Sequence, residues 1–147
     1  MRDKDQPDLD EFEYHKLEEF RYQIRRFLVF SETAARDSGI EPQQHMALLV
    51  IKGMPEGQLP TIGHLAERLL LKHHSAVGLV DRLQTLGFVV RTASPHDARQ
   101  VFVQLTPLGQ RTLHRLSMAH RQELEETGPK LAAALRAISR TVPSTNK

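Results

Sequence analysis

The sequence predicts a mostly α chain of the α+β class, with long helices at both ends and two short helices followed by a β-hairpin between them. Two stretches carry that expectation. In the first, Ile62, Leu65, Ala66 and Leu69 recur at helical spacing, as do Ala76, Leu79, Val80, Leu83 and Leu86. Residues 61–71 and 73–86 therefore read as amphipathic helices joined by a tight turn at Leu71 and Lys72. In the second, Val101, Val103 and Leu105 alternate with Phe102 and Gln104 as strand residues do, and residues 88–91 supply the partner strand. Pro95 and His96 fall at the hairpin tip between them.

The remaining elements follow from local signals. Asp8 and Glu11 have capping-box spacing and open a long helix to about Ser38, stopped by Gly39. Its apolar stripe takes in Phe12, Leu17, Phe20, Ile24, Phe27, Leu28 and Ser31. Pro42 starts a second helix through Met46, Leu48, Leu49 and Ile51, ending near Gly53, and residues 54–60, rich in Gly and Pro, form a loop. Gly87 sits where a helix C-terminus needs a left-handed residue. After the hairpin, Thr106 is an N-cap and Pro107 occupies the first helical position. That helix is expected to run to about Thr127, break at Gly128 and Pro129, and be followed by a last helix over residues 130–140. Two short helices, a tight turn and a hairpin make a winged helix-turn-helix over residues 41–105. Residues 8–40 and 106–141 form the helical ends, and residues 1–7 and 142–147 are polar tails expected to be disordered.

Several fragments carry a family resemblance. Leu65-Ala66-Glu67-Arg68-Leu69, Ser75 with Val80-Asp81-Arg82-Leu83, Gly87-Phe88-Val89-Val90-Arg91, and the wing pattern Asp97, Arg99, Leu105, Thr106 and Gly109 resemble the MarR family of bacterial transcription regulators. The resemblance is close over residues 59–109. It implies a homodimer interlocked through the terminal helices, double-stranded DNA as partner, a role that is most often repression, and a small aromatic or phenolic effector. Ala98 and Gly78 depart from the family's pattern, which more often has an arginine at the first and a longer polar or charged side chain at the second.

Composition narrows the function. The chain has 147 residues, a size that fits one domain with a real core. It has no cysteine, which excludes disulfides, thiolate zinc sites and cysteine redox sensing within it. No apolar run reaches the length of a membrane span and the polar start, Met1 to Asp5, is unlike a signal peptide, so a cytoplasmic location is expected. Residues 1–60 carry 8 Lys/Arg against 12 Asp/Glu, whereas residues 61–111 carry 6 against 3. The helix-turn-helix is thus basic and the N-terminal segment acidic.

With residues 73–86 in a major groove, His73, His74, Ser75, Val77, Gly78 and Arg82 are the candidates to meet it, and Asp81 shares the outward stripe. Ser75 and His74 can hydrogen-bond base edges, and Val77 suits a thymine methyl or the edge of the core. Gly78 costs about 1 kcal/mol in a helix interior relative to alanine, which close approach to DNA would explain. Lys72, Arg82, Arg91 and His96 are candidate phosphate ligands or plain surface charges. Arg99 is the candidate for the minor groove, with Asp97 bracing its turn through an ion pair or hydrogen bonds.

An effector cleft, as the resemblance implies it, takes Phe20, Ile24, His45, Leu49, His114 and Met118 as lining, with Arg21 or Arg25 for a carboxylate; core packing is the alternative for Phe20, Ile24 and Leu49. No metal or other cofactor is expected: His73 and His74 point about 100° apart on a helix, and His114 and His120 do not share a face. No phosphate-binding glycine loop, nucleophile elbow or zinc-protease motif is present, so the chain does not read as an enzyme. The rival readings are a winged helix that binds protein instead of DNA, and a metal-responsive regulator.

Overall fold

The computed structural model describes residues 8–139, and the terminal segments expected to be disordered lie outside the described residues. In chain order the elements are α1 (Glu11–Asp37), α2 (Pro42–Lys52), α3 (Ile62–Leu69), α4 (His73–Thr85), β1 (Val89–Ala93), β2 (Val101–Leu105) and α5 (Pro107–Ser139).

The helix ends show why the chain folds in these pieces. α1 opens on a capping box, but at Asp10 and Glu13 instead of Asp8 and Glu11: the Glu13 N–H donates to Asp10 Oδ1 at 2.8 Å and the Asp10 N–H to Glu13 Oε2 at 3.0 Å. Both pairs have the same spacing, but only Asp10 lies directly before the first helical turn, with Glu13 three residues on inside it. α2 begins at Pro42, with the Glu41 N–H donating to Gln44 Oε1 at 2.9 Å. α3 begins one residue later than expected because Thr61 is its N-cap, accepting from the His64 N–H at 3.1 Å.

α1, α3 and α4 end alike. The N–H of Ile40 reaches back to the Ala35 carbonyl, that of Leu71 to Ala66 and that of Phe88 to Leu83, each after one left-handed residue. At α1 and α4 that residue is glycine, Gly39 and Gly87. At α3 it is Leu70, with φ 55° and 93% of its surface exposed. α3 accordingly stops at Leu69, and the turn comprises Leu70, Leu71 and Lys72. A leucine held left-handed costs about 1–2 kcal/mol, and this one has little packing to lose. Leu70→Gly is therefore expected to stabilise the fold by about 0.5–1 kcal/mol after the greater chain entropy of glycine is subtracted. Thermal denaturation checks this: Tm should rise by about 1–4 °C, and a fall would mean the leucine side chain supports the turn.

The wing is a two-stranded antiparallel ribbon with Val89 opposite Leu105, Arg91 opposite Val103 and Ala93 opposite Val101. β1 starts one residue later and runs two further than residues 88–91, because the ladder to β2 continues to Ala93. The ribbon is tied to the start of α3: the Val103 N–H donates to the Pro60 carbonyl at 2.9 Å, and Thr61 bridges to Phe102. Thr106 caps α5 by accepting from the Gly109 N–H at 3.1 Å, and its own N–H donates to the Phe88 carbonyl at 3.0 Å. Gly109 presses on that same carbonyl: an added Cβ would overlap the Phe88 oxygen and lie 3.1 Å from its carbonyl carbon.

α5 corrects the expected break at Gly128 and Pro129, since one helix runs unbroken through both. Proline removes one helical hydrogen bond and crowds the preceding turn. Here Pro129 and Glu125, whose carbonyl loses its donor, are both exposed, so water can satisfy that carbonyl. Beyond it, buried Ala134 and half-buried Leu131, Ala132 and Ile138 keep the helical face in use.

Two compact units result. Ser31–Ala119 holds the winged helix, and residues 8–30 with 120–139 form a terminal helical unit. The division falls inside α1 and α5. The core of the first unit joins Ala35, Leu48, Leu65, Leu79, Val80, Leu83, Val89, Val103, Leu113 and Leu116. In the second, the His120 ring packs edge-on against Phe27 and Phe30, with centroids 6.0 and 5.4 Å away. Of the α1 stripe, Phe20, Ile24 and Phe27 are half-buried, but Phe12, Leu17 and Leu28 are exposed in the single chain. Among the described residues no helix is long and apolar enough to cross a membrane.

Candidate nucleic-acid interface

α4 is positioned by its apolar face. Ala76, Leu79, Val80 and Leu83 are buried, which turns the intervening residues outward. His73 and His74 are exposed in its first turn, Ser75, Val77 and Gly78 are half-buried, and Arg82 is exposed in the last turn. Lys72 is the N-cap residue and is exposed. The candidate contacts of α4 thus form one outward stripe of the winged-helix unit.

Asp81 belongs to that stripe but is engaged. Its carboxylate pairs with Arg91 of β1 at 2.6 Å, and the same guanidinium donates to Gln84 Oε1 at 2.6 Å. An ion pair this exposed contributes little stability, on the order of 0–1 kcal/mol. Its effect is geometric and electrostatic: it pins the base of the wing to α4 and offsets the one acidic group on the outward stripe of that helix. Arg91, which the sequence offers as a phosphate ligand or a plain surface charge, pairs with α4 in the single chain. Sequence reasoning missed this brace, and the only signal was Asp81 and Gln84 one helical turn apart ahead of a strand bearing arginine.

The wing tip is fixed by a small hydrogen-bond network. The Ser94 N–H donates to the Gln100 carbonyl at 3.1 Å and the Gln100 N–H to the Asp97 carbonyl at 3.0 Å. Ser94 Oγ accepts from the N–H groups of His96 and Asp97 at 3.2 and 3.3 Å. Asp97 Oδ1 accepts from the Arg99 N–H at 2.9 Å. Of the two expected ways for Asp97 to brace the turn, the hydrogen bond is the one found. The Arg99 side chain is exposed, and among the described residues it has no ion-pair partner. His96 is exposed beside it.

The effector candidates divide between the units. Phe20, Arg21, Ile24 and Arg25 stand on the terminal unit, the arginines exposed and the apolar pair half-buried. His45, Leu49, His114 and Met118 stand on the winged-helix unit, where His45 is 4% exposed while Leu49 and Met118 are 49% and 52% exposed. His45 is therefore buried in the single chain, whereas Leu49, for which core packing is the alternative, is exposed in it. A cavity of about 440 Å³ within the terminal unit is lined by other residues, among them Phe12, Gln23, Lys130 and Ala134. Among the described residues no group of three or more His, Asp or Glu side chains has the arrangement of a metal site.

The family model described as MarR family matches residues 38–100, which run from the end of α1 to the wing tip. The HTH-type transcriptional regulator YkoM of Bacillus subtilis is 32% identical over 104 residues, 69% of this chain and 66% of that protein. The chain belongs to the MarR family. AbsC, a MarR family transcriptional regulator from Streptomyces coelicolor, has the same fold with a TM-score of 0.74, 16% identity and 94% of each chain covered. Bordetella bronchiseptica BpsR, whose DNA binding is regulated by 6-hydroxynicotinic acid, gives a TM-score of 0.61 at 18% identity over 86% of this chain and 91% of its own. These relatives are transcription regulators and not enzymes, and the protein shares their winged-helix fold.

Proposed function

We propose that this MarR-family protein is a homodimeric, sequence-specific DNA-binding repressor that reads an inverted repeat. α4 enters the major groove through His73, His74, Ser75, Val77, Gly78 and Arg82, with Lys72 and His96 on phosphates and Arg99 in the flanking minor groove. The observation that carries the reading is the wing tip. Asp97 gives its carboxylate to a backbone N–H, which leaves Arg99 as a charged tip on a braced hairpin, with no ion-pair partner among the described residues. Two further features support it: Asp81 is neutralised on the groove-facing stripe, and residues 61–111 carry a basic excess.

A second copy would cover apolar surface that the terminal unit leaves open, including Phe12 at 64%, Tyr22 at 49%, Leu28 at 45% and Leu135 at 48% exposure. In such a dimer the two recognition helices lie about 34 Å apart, one turn of DNA. BpsR answers to a hydroxylated aromatic acid, and by analogy a small aromatic effector releases this repressor, its carboxylate meeting Arg21 or Arg25.

Arg99→Ala tests the wing. Binding to a duplex recovered by selection should weaken, and the slope of log K against log salt should fall by about one unit. Fluorescence anisotropy across a salt series measures both. Unchanged affinity and slope would remove Arg99 from the interface.

A further inference from the structure

Gly78 lies in the middle of α4, where glycine is a poor choice, and its backbone conformation gives no reason for it because φ is not positive. Nor does a neighbouring backbone approach it. The atom that a Cβ on Gly78 would meet is Arg82 Nη1, at 3.4 Å. Arg82 is one turn further along the helix, and its side chain runs back toward the helix N-terminus, the direction in which helical side chains lean. The guanidinium thus lies over the bare backbone at position 78.

We infer that Arg82, laid back across Gly78, is the base-reading residue of α4 and that it takes a guanine edge. This rests on the DNA-binding reading above. In helix-turn-helix proteins the N-terminal part of the recognition helix meets the bases, and Arg82 is rooted in the last turn of α4. An arginine extended from there would reach phosphate. Folded back by four positions, it delivers a planar fork of donors to the middle of the helix, where a longer side chain at 78 would otherwise stand.

The surrounding charges leave that fork available. Asp81, its immediate neighbour, is held by Arg91 at 2.6 Å. Glu32, Arg36 and Glu41 share a surface recess with Arg82, yet among the described residues no carboxylate lies within ion-pair distance of it. A guanidinium with two parallel donors matches O6 and N7 of guanine, and lysine, a point donor, does not reproduce that geometry.

The test is selection of bound duplexes from a random pool by full-length wild type, Arg82→Lys, Arg82→Ala and Gly78→Val, with circular dichroism confirming that each is folded. Wild type should enrich a half-site with one fixed guanine. Arg82→Lys should keep the generic, salt-sensitive affinity and lose the preference at that guanine, with binding to the wild-type site reduced about tenfold to a hundredfold. Gly78→Val should lose the same preference with Arg82 still present, because its bulk occupies the place of the guanidinium. Identical sites from all four proteins, or a uniform weakening over all sequences in the Arg82 variants, would overturn the inference and make Arg82 a phosphate ligand. Failure of wild type to enrich any sequence would instead overturn the DNA-binding reading on which it rests.

Discussion

Replacing Gly109 with alanine is expected to destabilise the protein by about 3 kcal/mol, because an added methyl group has nowhere to go. The obstacle is backbone. The Phe88 carbonyl sits against the Gly109 Cα, and that carbonyl already accepts the Thr106 N–H at 3.0 Å. Thr106 in turn caps α5 by accepting from the Gly109 N–H. Relieving the clash moves the first turn of α5 away from the start of β1 and loosens both bonds together. Since domains have only about 5–15 kcal/mol of net stability, the loss is large. Tm should drop by about 6–12 °C, and DNA affinity should fall because the wing is hung from this junction. Gly128→Ala is the comparison: nothing lies within 4 Å of its Cβ, so it should be neutral or stabilising by up to about 1 kcal/mol. Equal Tm for the two variants would show that the junction tolerates a side chain.

Gly78→Glu has the second large effect, on binding alone. Glutamate is a better helix former than glycine, and among the described residues the neighbour its Cβ would meet is the flexible end of Arg82. The fold should therefore survive, with circular dichroism unchanged and Tm equal or higher. The carboxylate would stand beside the Arg82 guanidinium, cancel its charge and face the phosphates, and like-charge juxtaposition costs several kcal/mol. Affinity for a selected operator should fall by a hundredfold or more, measured by anisotropy at fixed salt. Retained binding would place α4 outside the groove.

The winged helix was legible because its signals are local. Thr61, Gly87, Thr106 and Pro107 mark element ends through hydrogen bonds made within a few residues or through backbone φ, and the alternation of Val101, Val103 and Leu105 has one reading. The errors arose where a local signal met a tertiary one. Asp8-x-x-Glu11 and Asp10-x-x-Glu13 are equivalent in sequence, and only the second is used. Pro129 is a helix breaker by rule, yet α5 continues because Ala134 is buried beyond it.

The candidate site was legible as a set of residue types but not as a set of relations. The order of residues carries only a faint signal that Arg91 reaches Asp81, and none that Arg82 covers Gly78 or that Gly109 faces the Phe88 carbonyl. Those relations decide which cations are engaged and which are free. The apolar face of α1 shows a further limit: Phe12, Leu17 and Leu28 have helical periodicity, but a single chain leaves them exposed. Periodicity identifies a surface to be buried without naming what buries it.

Selection of bound duplexes from a random pool at near-physiological salt, with the full-length wild-type chain, tests the central claim most directly. A homodimeric winged-helix regulator should enrich an inverted repeat whose half-sites are about 10 bp apart, centre to centre. Absence of any enriched sequence, with binding that disappears as salt rises, would leave only a basic surface and would point to a winged helix that engages protein instead of DNA.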